Sequence, residues 1–294
     1  MKNKLGALSL LAAACMATQP AQAETKLLTP SQIVAQSSQH EWRALDLENT
    51  LILGLKTGEV VIELNPDLAP NHVANFKKLV REGFYQDLNI YRFVEGFVAQ
   101  GGDISEKKTP KTGKKTIDAE FIKSTPTRLP IQVVTKEDGY ADVVGFYNGF
   151  SVAQNKAGTK TWQTHCTGNF AMARSNDVNS GGTEFYVILG DHRYLDLNIT
   201  SFGRVVSGIE HIQRLERKPK TTVSDKNFNP IVSFHVASDL KSSEAHDLEV
   251  MKTDSDSFKK YIESRRNRPS EWFVHQANFM HVCGVSVPNR ITKR

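Results

Sequence analysis

Cysteine is scarce in this chain, and none of it sits at metal-binding spacing. Among 294 residues only Cys15, Cys166 and Cys283 occur, no two in a CxxC pair, and the adjacency of His165 to Cys166 supplies no second pair of ligands. That argues against a structural zinc site, and no metal is expected. Excess charge of one sign is also missing: 37 Lys and Arg against 32 Asp and Glu leave a formal charge of +5. No basic cluster interleaves with aromatics, so no nucleic-acid partner is indicated. The densest basic run, Lys107 to Lys115, lies among Thr, Pro and Gly and reads as a solvated loop. The apolar run from Leu5 to Met16 falls short of the about 20 residues that a membrane span takes. His72, His165, His192 and His211 fit no serine or cysteine triad pattern, and Ser207-Gly208 is not a nucleophile elbow, which removes the usual hydrolase chemistries. The loop from Asn176 to Gly182 groups acidic and amide side chains but lacks the acidic spacing and closing glutamate of an EF-hand. No Gly/Ser-rich linker divides the chain, which reads as one elaborated domain.

The first residues carry a different signal. Lys2 and Lys4, the apolar run, and Ala21-Gln22-Ala23 before Glu24 form the charged segment, apolar segment and small-residue cleavage site of an export signal. Residues 1–23 are expected to be removed after Ala23, giving a periplasmic or secreted protein. A second reading makes Cys15 a lipidated N-terminus, against which Ala12, not leucine, stands three residues before it. Cleavage removes Lys2 and Lys4, lowering the formal charge from +5 to +3, and leaves Cys166 and Cys283 as the two remaining cysteines. In an oxidising compartment such a pair is expected as a disulfide; the alternative is two buried thiols.

Residues 24–49 read as an N-terminal extension in which Thr29-Pro30-Ser31 opens a short helix through Ile33 and Val34. Thr50 to Leu55 and Glu59 to Leu64, apolar and β-branched around Lys56-Thr57-Gly58, predict a hairpin. Val73, Phe76, Leu79 and Val80 recur at helical spacing between Pro70 and Gly83, with Phe76 a core residue. Tyr91, Phe93 and Val94 predict a strand up to Glu95-Gly96, and Phe97 to Gln100 a second. Arg92 is the cation inside this apolar stretch, where it must either face water or be used. An aromatic ring and an amide lie near it in sequence, and the run holds no thiol or hydroxyl nucleophile, so such a site is built to grip rather than attack. Between Asp103 and Gly168, Leu129-Pro130-Ile131, Val133-Val134, Gly139-Tyr140 and Val143 to Phe146 predict added strands or an ordered lobe, with a turn at Lys156 to Lys160. Gly168 to Ile188 reads as strand, polar loop and strand; Thr200 to Val206 as a strand; Gly208 to Leu215 as a helix left at Lys218-Pro219-Lys220; and Ile231 to Val236 as a closing strand. Phe258, Tyr261 and Ile262 predict a last helix, ended at Arg265 to Pro269, after which Phe273, Val274, Val282 and Val285 are expected to pack on the body, where Cys283 meets Cys166.

Two stretches resemble a known family. Tyr91-Arg92-Phe93-Val94-Glu95-Gly96-Phe97-Val98-Ala99-Gln100-Gly101-Gly102-Asp103 resembles the arginine signature of the cyclophilin-type peptidyl-prolyl cis-trans isomerases. Gly168 to Ile188, closed by Tyr194-Leu195-Asp196 and Ser201 to Val205, resembles the family's second block. The likeness runs from about Leu51 to Leu215. It implies a mainly β fold, a closed antiparallel eight-stranded barrel with two capping helices over residues 50–236. An insertion at about 104–167 interrupts it, and a C-terminal extension, 237–294, packs on it. The insertion, with Thr164 to Gly168, resembles an exported proteobacterial branch. The implied activity is rotation of X-Pro bonds during folding of exported proteins, by a monomer that needs no cofactor and takes proline-containing polypeptides.

Carried over residue by residue, the resemblance makes Arg92 catalytic. Phe97, Val98, Tyr186 and Leu195 line the pocket for the proline ring, Gln100 orients Arg92 and the substrate carbonyl, and Ala173 with Arg174 meets the peptide backbone. This chain departs from the pattern at several points. Tyr91 replaces a histidine, Val98 a methionine, Glu184 a glutamine and Tyr186 a phenylalanine; Ile199 lies where a histidine is frequent. Tyr194 replaces a tryptophan that binds cyclosporin, so weak inhibition by that drug is expected. Glu184 either pairs with Arg92 and competes with substrate, or points elsewhere or orients Arg92 as the amide would. The Glu184 change and the large insertion together suggest a rival of the same fold, a catalytically weakened proline-peptide binder or chaperone.

Overall fold

In the hairpin around Lys56-Thr57-Gly58, Thr50–Leu55 pairs antiparallel with Gly58–Leu64, setting Leu51 opposite Ile62 and Leu53 opposite Val60. Because side chains alternate across a strand, Leu51, Leu53, Leu55, Val60, Ile62 and Leu64 enter one core while Ile52 and Val61 enter another, against Leu45, Ala237, Leu248 and Val250. A strand apolar on both faces is one that is covered on both faces, and the C-terminal extension supplies the outer cover. This computed structural model describes residues 27–217 and 228–292. The export-signal readings at Cys15 and Ala23, and the helix exit at Lys218-Pro219-Lys220, lie outside the described residues.

The hairpin belongs to an eight-stranded antiparallel sheet in the order Ser233–Val236, Thr50–Leu55, Gly58–Leu64, Ser201–Ser207, Asn169–Met172, Phe185–Ile188, Val98–Gly102, Asn89–Val94. Its two edges meet: Asn89 bridges Pro230, the Ile90 N–H donates to the Asn229 carbonyl at 2.9 Å, and the Ile231 N–H to that of Leu88 at 2.9 Å. The sheet thus curls onto itself as a barrel, leaving short edges. Helix Pro70–Arg81 begins on a proline, whose missing N–H costs nothing at that position. It drives Phe76, fully buried, into a cluster with Tyr85, Phe170, Phe185, Phe202 and Phe234 at ring separations of 5.0–5.6 Å. Ile209–Gln213 is the second cap and buries Ile212.

The insertion forms its own antiparallel sheet of five strands, ordered Lys123–Ser124, Lys160–Gln163, Phe150–Gln154, Val143–Tyr147, Gln132–Lys136. One face of it shares a second core with the termini: Val134, Val144, Phe146, Ala153 and Trp162 pack with Ile33, Trp42, Phe258, Tyr261 and Ile262. The N-terminal extension therefore joins the C-terminal one. Trp42–Ala44 pairs with Leu248–Met251, which pairs with Asn289–Ile291. The buried Glu41 carboxylate accepts the Ser257 N–H and hydroxyl, both at 2.8 Å, at the start of helix Asp256–Arg266. Cys166 and Cys283 are bonded, joining the end of the insertion to the last segment across 117 residues.

One expectation fails in the tail. Val282 and Val285 are buried, but Val274 is fully exposed and Phe273 is half-buried, with Arg268 over its ring at 5.5 Å. Pro269 ends the helix, and no regular element follows until Val282–Gly284. The second core is already filled by Phe258, Tyr261 and Ile262, which leaves Val274 nothing to cover.

Candidate active site

Arg92 owes its position to an irregularity and a glycine. The pairing of Asn89–Val94 with Val98–Gly102 shifts register between Asn89 and Arg92, after which Arg92 lies opposite Gln100; such bulges re-aim a side chain. Gly96, at φ +64°, closes the tight turn in which the Phe97 N–H donates to the Val94 carbonyl, a left-handed conformation that favours glycine. The strand predicted from Phe97 accordingly begins at Val98, and Phe97 stands on the turn.

Arg92 Nη1 donates to Gln100 Oε1 at 2.9 Å, and the guanidinium lies 5.5 Å from the centroid of Phe97. The Gln100 amide donates to the Tyr91 hydroxyl, which donates to Glu184 Oε2 at 2.6 Å. Glu184 thus acts on Arg92 through two intermediates and forms no ion pair with it. Two departures from the family pattern, Tyr91 and Glu184, turn out to be partners. Burial, together with the field of Glu184, pushes the Tyr91 phenol up, so it stays protonated and donates. Burial also raises the Glu184 carboxyl, to about 7, with the nearby Asp103 charge adding and the Tyr91 hydrogen bond opposing.

That shift has a testable sign. A carboxyl whose folded pKa rises from 4.5 to about 7 contributes stability that is complete below pH 4.5 and is lost as pH rises through 7. Glu184→Gln is therefore expected to unfold at a higher temperature than wild type at pH 8 and at the same temperature near pH 4.5. A difference of equal size at both values would remove burial of the charge as the cause.

Beside the arginine lies an apolar floor. Val98, Ala171, Tyr186 and Ile188 form a buried cluster edged by the half-buried Phe97, Ala173 and Ile199, and Tyr186 is paired with Gln100 across the sheet. The Tyr186 hydroxyl finds His165 Nε2 at 3.3 Å, which satisfies the oxygen that a phenylalanine would lack. Tyr194, exposed, and Leu195, half-buried, stand on the short turn Arg193–Leu195. His192 meets Phe97 edge to face at 4.8 Å, and its Nε2 contacts the Gly96 carbonyl at 2.8 Å. The Ala173 N–H donates to the Glu184 carbonyl at 2.8 Å. The Arg174 guanidinium is committed to the carbonyls of Asn198 and Ser175, at 2.9 and 2.7 Å, and lies over Phe121. A cleft of about 390 Å³ continues from Gln100 and Glu184 past Ala173 and Arg174 toward Asp103 and Glu106.

All ten residues singled out in sequence fall on the strands, turn and loop around this patch. Reasoning from sequence missed the contribution of the insertion, in particular His165. Its only signal was adjacency to Cys166. Among the described residues one group of potential metal ligands exists, Asp191, His281 and Cys283 within 4.8 Å of one another; the Cys283 sulfur is bonded to Cys166 and offers no thiolate.

Residues 50–236 match the family model described as cyclophilin type peptidyl-prolyl cis-trans isomerase/CLD. A probable peptidyl-prolyl cis-trans isomerase of Brucella suis biovar 1 is 33% identical over 199 residues, 67% of this chain and 87% of its own length. The human peptidyl-prolyl cis-trans isomerase-like 3 is 24% identical over 187 residues, 64% of this chain and 92% of its own. Among solved structures, a cyclophilin from Hirschia baltica is similar with a TM-score of 0.69 at 29% identity, covering 91% of this chain and 99% of that one. That match takes in segments outside residues 50–236.

Proposed function

The chain belongs to the cyclophilin-type peptidyl-prolyl cis-trans isomerases, and on that premise we propose that it isomerises X-Pro bonds of exported proteins, with Arg92 as the residue that acts on the prolyl amide. Rotation about an X-Pro bond is slow because amide resonance sets a barrier of about 18–20 kcal/mol. As the bond twists, the nitrogen lone pair leaves conjugation and becomes a hydrogen-bond acceptor. A guanidinium aimed at that nitrogen binds the twisted amide better than either planar form, which is the requirement for catalysis. No covalent intermediate is involved.

The observation that carries this reading is the state of Arg92. It makes no ion pair among the described residues, is braced by Gln100, and stands over Phe97 next to the apolar floor of Val98 and Tyr186. Its charge is thus left for a ligand whose ring the floor accepts. The rival reading, a weakened proline-peptide binder, drew on the Glu184 change and the insertion; against its first ground, the Glu184 carboxylate accepts the Tyr91 hydroxyl and not Arg92.

Two measurements test the proposal. Exchange spectroscopy on an Ala-Pro peptide is expected to show interconversion accelerated by catalytic amounts of the mature protein; binding without acceleration overturns the mechanism. Cell fractionation with N-terminal sequencing is expected to find an extracytoplasmic chain beginning at Glu24. A cytoplasmic chain that keeps Met1 overturns export and leaves the isomerase intact.

A further inference from the structure

The insertion reaches the proline site through one buried cation. Arg193, its side chain 2% exposed, donates from Nη1 to Asp138 Oδ2 and from Nε to Asp196 Oδ2, both at 2.6 Å. Asp138 belongs to the insertion, at the tip between strands Gln132–Lys136 and Val143–Tyr147, and its own side chain is fully buried. The tip is shaped to present it: Asp138 Oδ1 accepts the N–H groups of Tyr140 and Ala141 at 3.1 and 3.0 Å. Tyr140 lies over the Arg193 guanidinium at 5.2 Å.

Further bonds from the insertion strand Lys160–Gln163 and the segment just after it converge on the same short turn. Trp162 Nε1–H donates to Asp196 Oδ2 at 3.3 Å, the His165 N–H to Asp196 Oδ1 at 2.8 Å, and the His192 N–H to the His165 carbonyl at 2.9 Å. Between these anchors lie Tyr194 and Leu195, and His192 packs on Phe97. A buried ion pair with both carboxylates satisfied is costly to assemble and rigid once made, so it sets position better than it adds stability. A wall residue on a three-residue helical turn has little local structure of its own to hold it.

We infer that Asp138, Arg193 and Trp162 are positioning residues for substrate, through which the insertion holds the turn bearing Tyr194 and Leu195 at the proline site. None of the three touches Arg92 or Gln100, so the effect falls on binding of the ring and not on the chemistry of the amide. The inference rests on the site proposed above.

The test uses the mature full chain and an Ala-Ala-Pro-Phe peptide. Asp138→Asn keeps the shape and removes the charge that faces Arg193. The variant is expected to raise KM, and the peptide Kd from NMR titration, five- to tenfold while kcat stays within twofold; Asp138→Glu restores part of the loss. Amide hydrogen exchange at Leu195 and Asp196 is expected to speed up about tenfold. Trp162→Phe, which keeps the ring and loses one hydrogen bond, is expected to double or triple KM and decides the matter if Asp138→Asn does not fold. Wild-type KM and wild-type exchange at Leu195 in a folded variant overturn the inference. If wild type itself neither binds nor turns over the peptide, the site assignment fails, and the exchange rates still decide whether the insertion holds the turn.

Discussion

Arg92→Ala is expected to lower kcat/KM for an X-Pro peptide ten- to a hundredfold with little change in the thermal midpoint. A hydrogen bond to a charged group contributes about 1.5–3 kcal/mol, and about 1.4 kcal/mol off the barrier is tenfold in rate. One to two decades is thus the range that a single guanidinium supplies. The residue is half-exposed and, among the described residues, bonded to Gln100 alone of the side chains, so its loss leaves no buried carboxylate there unpaired. Arg92→Lys separates charge from geometry: an ammonium keeps the cation but loses the planar fork that reaches Gln100 and substrate together, and it is expected to recover little. Full activity in Arg92→Ala would sink the assignment, and catalysis would then have to come from the apolar pocket alone.

The second large effect is on stability. Converting Cys166 and Cys283 to alanine is expected to destabilise the protein by about 3–5 kcal/mol, with the upper end set by the chain-entropy value of about 5 kcal/mol for a cross-link spanning 117 residues. For a protein of this size that corresponds to a fall in Tm of roughly 6–20 °C. The crosslink ties the tail with Val282 and Val285 to the residue next to His165, so its loss frees the tail from the second core. Thermal unfolding of wild type with and without a thiol reductant checks the same quantity by another route. Coincident curves under both treatments would show that packing alone holds the tail.

Much of the barrel was legible from local patterns. Period-two alternation around Lys56-Thr57-Gly58 located the first hairpin, and helical spacing placed Phe76 in the core, because both signals arise from neighbours in sequence facing one solvent boundary. Resemblance, not periodicity, marked Arg92, Gln100 and Tyr186 as one site. The packing of Val274 was misjudged because an apolar residue carries no mark saying whether the core nearby is already full.

Other features depended on partners far apart in the chain. The three-residue strand Trp42–Ala44 is too short for any period and is a strand only because Leu248–Met251 lies beside it. Glu184 read in sequence either as a competitor for Arg92 or as a group that points elsewhere or orients it; folding set Tyr91, 93 residues from Glu184, between them and made the carboxylate a brace. Asp138 in an inserted hairpin carried no signal until Arg193, 55 residues on, was buried against it. The chain by itself pointed to the family, to Arg92 as the candidate cation and to Cys166 and Cys283 as a candidate pair. Only the tertiary structure decided which polar groups share a hydrogen bond, because that choice is made by burial: a charge or hydroxyl removed from water must find a partner among whatever the fold brings near.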